Sequence, residues 1–319
     1  MKKMFTLIAL VLCLSLLFGC TAKKETEFPE GPITVVVNYG GGGSTDLSTR
    51  ALAKAAEKHL GVPITVVNKS GGSGTTGIIE VQKSKADGYT IGILTYSPLA
   101  IVPHQMEVPY KPTDFKYIMG FGEYRYGVAV KNDSKYKSIE DLVKAAKEKP
   151  DGLAYSASGF PQPMAMNAIG DKHNVKFNYV PFKSGSEAVT AVLGGHVEVT
   201  SVIMADLLPF LKSGEMRLLA SSSSERWEQV PDVQTLKELG YDVAIASYMG
   251  MGAPKDVPED RLNIIREAFI KAFNDQDFQD VMKKINVPAV YKSGDEYEKL
   301  VVEGYDEMKK LMTEMGLTN

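Results

Sequence analysis

The sequence predicts an α/β fold, with parallel-sheet units arranged in two domains. Three observations carry this. The chain has 319 residues, and the roughly 300 that remain without its leader are long for one core and natural for two. Short β-branched runs alternate with stretches of helical spacing, the pattern of βα units on a parallel sheet. Small-residue loops follow the strands, at the ends where open α/β sheets hold ligands.

Taken in order, Ile33-Thr34-Val35-Val36-Val37 reads as a buried parallel strand. Asn38 to Thr45 is a loop. Leu47, Ala51, Ala55 and His59 give helical spacing from Asp46 to Leu60, closed by Gly61. Strand Ile64 to Val67 leads into Gly71-Gly72-Ser73-Gly74-Thr75-Thr76-Gly77 and a helix to about Ser84. Asp87-Gly88 turns the chain into strand Thr90 to Leu94. Tyr117 to Val130 is β-rich and reads as a crossover into a second domain. There we expect helix Ser138 to Lys149, strand Leu153 to Ser156, helix Met164 to Lys172 and strand Phe177 to Pro181. Helix Ser186 to Gly194 and strands Val197 to Ile203 and Arg217 to Ser221 follow. The chain then returns through Ala244 to Met251 and ends in amphipathic helices at Glu259 to Asn274, Gln276 to Ile285 and Gly294 to Met315. The expected division is a discontinuous domain I (30–124 and 222–319) and a continuous domain II (125–221).

The N-terminus fixes a compartment. Met1-Lys2-Lys3, an apolar run from Met4 to Phe18, then Gly19 and Cys20 form an export signal. Leu17-Phe18-Gly19-Cys20 resembles a bacterial lipoprotein signal, in which the cysteine becomes the lipidated first residue. The run is shorter than the ~20 residues a membrane span needs. Residues 1–19 are thus expected to be a signal peptide, and 20–29 a polar tether. Of the two cysteines, Cys13 falls in the signal and Cys20 takes the lipid, so no disulfide is expected. The 36 Lys and Arg against 39 Asp and Glu give a net charge of −3, which loss of Lys2 and Lys3 takes to −5. No basic stripe points to nucleic acid.

Two loops invite an anion. Tyr39-Gly40-Gly41-Gly42-Gly43-Ser44-Thr45-Asp46 sits between a strand and a helix. Its glycines let backbone approach a ligand, and the helix start offers free N–H groups. Ser44, Thr45 or Asp46 could cap that helix; with Ser44 and Thr45 available, Asp46 is expected to face the cleft and accept from a ligand. Gly72-Ser73-Gly74-Thr75-Thr76-Gly77 matches the dinucleotide pattern, but the strand after it, Thr90 to Thr95, ends in no acidic residue for a ribose. Three loops in the second half add hydroxyls and backbone donors: Ser156 to Gln162, Pro181 to Ser186 (with Lys183) and Met204-Ala205-Asp206. No G-x-S-x-G occurs, and the four histidines lack ligand spacing. No catalytic residue, metal or cofactor is expected.

At this point the chain resembles a known family, the Bug-type extracytoplasmic solute receptors of tripartite tricarboxylate transporters. The resemblance spans 29–319 and rests on Tyr39-x-x-Gly42-Gly43-x-x-Asp46-x-x-x-Arg50, Val66-Val67-Asn68-Lys69-x-Gly71-Gly72-x-Gly74-x-x-Gly77 and Ala86-Asp87-Gly88-Tyr89-Thr90. Pro109-Tyr110-Lys111-Pro112, Val180-Pro181-Phe182-Lys183-x-Gly185, Gly214-x-x-Arg217-x-Leu219-Ala220 and Gly252-Ala253-Pro254 extend it. Departures cluster near the expected pocket. Asn38 replaces a proline, Phe160-Pro161-Gln162-Pro163-Met164 replaces a Gly/Ser/Thr stretch, and Tyr248 stands where tryptophan is common.

The resemblance implies a type II periplasmic-binding-protein fold: two α/β domains, a hinge, and ligand in the cleft between them. It implies a small carboxylate, a di- or tricarboxylate or related organic acid, delivered by domain closure to the transporter's membrane subunits. Expected ligand-binding residues are Tyr39, Gly42, Gly43, Ser44, Thr45, Asp46, Gly74, Thr75 and Thr76 from one wall. Ser158, Gly159, Lys183, Gly185, Ser186 and Asp206 form the other. The protein would be a monomer held outside the cell membrane by lipid on Cys20. The alternatives are a sensing receptor without transport and an exported Rossmann-like enzyme.

Overall fold

The computed structural model describes residues 28–149, 152–182, 184–245 and 247–314. The signal, Cys20, most of the tether and Lys183 therefore lie outside the described residues.

The first sheet opens with β1 (Ile33–Val37), α1 (Ser44–Leu60), β2 (Ile64–Asn68), α2 (Thr75–Lys83), β3 (Thr90–Ile93) and α3 (Tyr96–Ala100). β4 (Phe115–Tyr124) ends at Arg125, and β5 (Tyr126–Lys131) continues into the second sheet. That sheet is completed by α4 (Ile139–Glu148), β6 (Leu153–Ala157), α5 (Pro163–His173), β7 (Phe177–Pro181), α6 (Gly185–Leu193), β8 (Val199–Ile203), α7 (Met204–Ser213) and β9 (Met216–Ser221). β10 (Ser247–Pro254), α8 (Glu259–Phe273), α9 (Gln276–Lys284), β11 (Lys292–Ser293) and α10 (Gly294–Glu314) return to the first.

The strand orders are β11-β4-β10-β3-β1-β2 and β7-β6-β8-β5-β9. The sheets, read from the strand–helix alternation as parallel, contain parallel units but are mixed. β2-β1-β3 and β7-β6-β8 are parallel, while β10 and β4 in one sheet, and β5 and β9 in the other, run antiparallel to their neighbours. β5 and β10, which receive the chain from the other sheet, run against the parallel strands, whereas β4 and β9, which send it across, run with them.

The alternation of β1 explains its placement between two layers. Ile33, Val35 and Val37 pack against α1, α8 and α9 through Leu52, Ile265, Phe269 and Phe278. Val36 faces the other side with Ile78, Leu99, Tyr117 and Tyr297. The second sheet is covered on one face by Leu142, Met166 and Ile169, and on the other by Val189, Val192, Leu207 and Trp227.

One boundary differs from expectation. The segment 222–245 was assigned to the first unit, but it packs on the second sheet. Trp227 is fully buried beside Leu218, Leu236 and Ile245 join the second core, and the Ile245 N–H donates to the Ser222 carbonyl. The three apolar anchors Trp227, Leu236 and Ile245 outweigh the connection of this segment to the strand that follows it.

Candidate functional site

A cavity of about 530 Å³ lies between the two sheets. Its walls come from the carboxyl ends of the parallel strands, as the topology of such sheets dictates. The β1–α1 loop supplies Tyr39 to Gly43, the start of α1 Ser44 and Thr45, the residues after β3 Thr95, and α3 Ser97. Tyr124 and Tyr126 flank the crossover. Ser158, Phe160, Gln162, Ser184, Gly185, Ser186, Ile203 and Asp206 form the facing wall, with Ser247 at the return.

The first loop is held from behind by Asp46, which is 3% exposed. Its carboxylate accepts from the Gly42 N–H at 2.8 Å and from Asn68 Nδ2 at 2.9 Å, and pairs with Arg50 at 3.0 Å. Burial pushes its pKa up, but the bonds from Arg50, Gly42 and Asn68 outweigh this and hold it below the usual carboxylate value. Gly42 takes φ of 81°, a conformation that glycine accepts without strain. The expectation that Asp46 faces the cleft is corrected: its oxygens are committed to the loop. Capping by Ser44 or Thr45 is corrected too. Gly43 occupies the cap position without a side-chain bond, which leaves both hydroxyls turned to other partners. Thr45 Oγ1 hydrogen-bonds the Tyr124 hydroxyl. Burial pushes the Tyr124 and Tyr39 hydroxyls up, so both stay neutral; Tyr39 also bonds Thr95.

The second glycine loop does not line the cavity. Gly74 has φ of 92°, and a Cβ there would meet Pro98 Cγ at 2.8 Å and Tyr39 Cζ at 3.1 Å. Thr75 is buried and Thr76 points to solvent. The glycine pattern serves close packing behind the first loop, because Asn38 occupies the space between. Asn38 is fully buried, and its Nδ2 donates to the Gly74 carbonyl at 3.3 Å and to Thr95 Oγ1 at 2.8 Å. Gly74, Thr75 and Thr76 thus support the wall without forming it.

On the facing wall, Ser158 is fixed by Gln162, whose Oε1 accepts from the Ser158 N–H at 2.6 Å. Gly159 lies between the lining residues Ser158 and Phe160 but does not itself line the cavity. Ser97 Oγ donates to the Phe160 carbonyl at 3.1 Å and so bridges the walls. Met204-Ala205-Asp206, expected as a loop, is the first turn of α7. Ser186 Oγ donates to Asp206 Oδ1 at 3.2 Å. Burial pushes the Asp206 carboxyl up to about 6, with the Ser186 bond opposing.

The structure therefore brings together Tyr39, Gly42, Gly43, Ser44, Thr45, Ser158, Gly185, Ser186 and Asp206. It leaves out Asp46, Gly74, Thr75, Thr76 and Gly159, and Lys183 lies outside the described residues. Sequence reasoning missed Thr95, Ser97, Tyr124, Tyr126, Phe160, Gln162, Ser184, Ile203 and Ser247 as cavity residues. The available signal was position: hydroxyl and aromatic residues where strands end or cross between sheets. Among the described residues, Asp206 is the one charged side chain lining the cavity, and no cluster of three potential metal ligands exists. The N–H groups of the glycine loop and the first turns of α1 and α6 are dipoles that could hold an anion here.

Two α/β lobes facing one another across a polar, hydroxyl-lined cavity define the class of a solute-binding receptor. The comparisons place the chain within it. Residues 48–317 match the model of the tripartite tricarboxylate transporter family receptor, and the chain belongs to this family. It is 31% identical to the UPF0065 protein in the gbd 5′ region of Cupriavidus necator, over 92% of this chain and 90% of that protein. It superposes on a TctC solute-binding protein from Polaromonas with a TM-score of 0.75 and 29% identity, covering 90% and 99% of the two chains. A Rhodopseudomonas palustris protein solved with adipate shares the fold, with a TM-score of 0.81, 24% identity and coverage of 92% and 99%. Members of the family are extracytoplasmic receptors and not enzymes, which removes the exported-enzyme alternative.

Proposed function

We propose that this receptor binds a small organic acid with at least one carboxylate in the cavity between its lobes, and delivers it to the membrane subunits of a tripartite tricarboxylate transporter. One carboxylate would lie on the glycine loop, Gly42 and Gly43, at the start of α1. The observation that carries the reading is the pairing of this loop with a cavity whose described lining is hydroxyls, aromatics and backbone, with no described cation. The adipate-bound relative has the same fold and supports the ligand class.

Delivery would use hinged closure, because contacts from both lobes favour the closed state when ligand bridges them. The lobes would pivot where the chain crosses between the sheets, as at Arg125 between β4 and β5. The bond between Ser97 and Phe160 joins the two walls and would be one of the contacts that opening breaks. Cys20 would carry the lipid that holds the receptor, a monomer, to the membrane outside the cytoplasm.

The experiment is a thermal-shift screen with mono-, di- and tricarboxylates, amino acids and NAD(P). A ligand at 100 times its Kd adds about 2.7 kcal/mol, a shift of several degrees for a protein of this size. At least one acid gives such a shift and the dinucleotides give none. Shifts from nucleotides alone would overturn the reading.

A further inference from the structure

We propose that Asp206 is a specificity-determining residue: it accepts a hydrogen bond from the ligand, so the cavity selects organic acids that carry a hydroxyl or ammonium group beside the carboxylate. This rests on the reading of the glycine loop as the carboxylate site.

The geometry is particular. Asp206 lines the cavity on the lobe that faces the glycine loop. Its carboxylate lies over Gly185, where a Cβ would overlap it, so the absence of a side chain at 185 makes its room. Oδ1 accepts one described bond, from Ser186 at 3.2 Å. A carboxylate has about four acceptor sites across its two oxygens, so capacity remains on the cavity side. Burial raises its pKa to about 6, with the Ser186 bond opposing. No other described lining residue is charged.

A ligand in this cavity thus meets two unlike ends. The glycine loop and the α1 start present donors and favour an anion. Asp206 presents an acceptor with negative charge, which repels a second carboxylate placed against it and attracts a donor. A hydroxy acid or amino acid satisfies both ends, whereas a simple diacid of the same length leaves Asp206 with Ser186 as its one described donor. A hydrogen bond to a charged group corresponds to about ten- to hundred-fold in affinity. The sequence assigned a donor-seeking role to an acidic residue, Asp46. The structure moves that role across the cavity to Asp206.

The test uses acids matched in length and differing only in the donor: succinate, malate and aspartate, with glutarate, 2-hydroxyglutarate and glutamate as the next size. Each is titrated calorimetrically into the wild type, Asp206→Asn and Asp206→Ala, with apo melting curves to establish that each variant is folded. In the wild type, the better donor-bearing member of one series binds at least ten-fold tighter than its plain diacid. Asp206→Ala reduces that preference to under three-fold and leaves the plain diacid bound at least as well. Asp206→Asn separates the donors: it retains part of the preference for a hydroxyl, because the amide oxygen still accepts, and loses that for an ammonium. Plain diacids binding the wild type as tightly as their donor-bearing partners would overturn the inference while leaving the carboxylate site standing. So would a preference that survives Asp206→Ala. If no acid of either kind binds the folded wild type, the carboxylate site falls, and this inference with it.

Discussion

Replacing Asp46 by alanine should loosen the empty receptor before any ligand is considered. The carboxylate holds the Gly42 N–H at 2.8 Å and Asn68 Nδ2 at 2.9 Å from a position 3% exposed. Hydrogen bonds to a charged group contribute about 1.5–3 kcal/mol each. Gly42 is exposed and regains water when its acceptor is lost, so its bond counts toward the low end. Arg50 is 47% exposed and its ion pair adds at most about 1 kcal/mol. Together these give a loss of about 3–5 kcal/mol, or a drop in Tm of about 5–10 °C. The pH dependence has a definite sign. The native pKa is depressed, so the stabilisation is fully present above the unfolded value and is lost as pH falls through the native one. Melting curves of wild type and Asp46→Ala without ligand, from pH 7 down to pH 3, should draw closer together toward the acid end. An unchanged apo Tm at pH 7, with affinity reduced, would refute the brace and return Asp46 to the cavity.

Other outcomes follow from single features. Asp206→Asn should raise the apo Tm at pH 7.5, because a carboxyl with its pKa raised to about 6 costs stability once ionised. That cost, about 1–3 kcal/mol, grows as pH rises from about 4 through about 6, so a gap independent of pH would count against it. Trp227→Ala should destabilise by about 3–5 kcal/mol, since this fully buried ring anchors 222–245 to the second sheet; a loss under 1 kcal/mol by denaturant titration would show that the segment is not anchored there. Cys20→Ser should release the protein from the membrane fraction, and a variant that stays bound with the same mature N-terminus would exclude the lipid.

Much of the fold was legible because strand and loop chemistry coincide along the chain. The run Ile33 to Val37, the glycines after it and Gly61 at the helix end define β1, its loop and α1 without tertiary information. Strand direction is different. Nothing in β10 or β5 says which way its neighbour runs, so the sheets read as parallel although they are mixed. Met204-Ala205-Asp206 reads as a loop but opens α7, a helix that contains Pro209. Burial of Leu207 and Leu208 keeps the helix intact. The second glycine loop was misplaced for a reason of principle: glycine permits close approach, and sequence does not say of what. At Gly74 the approaching atoms are Pro98, Asn38 and Tyr39, not a ligand. Asp46 and Asp206 show the same limit. Each lies in the first turn of a helix, and only the neighbours reveal that one is spent on its loop and the other faces the cavity.

The central claim is that a carboxylate rests on the glycine loop between the two lobes. A crystal structure of the receptor with the acid that gives the largest thermal shift tests it most directly. The account predicts carboxylate oxygens within hydrogen-bond distance of backbone N–H groups between Gly42 and Thr45, with the facing lobe closed over the rest of the molecule. An acid seated away from this loop, or held chiefly by cationic side chains, would contradict it.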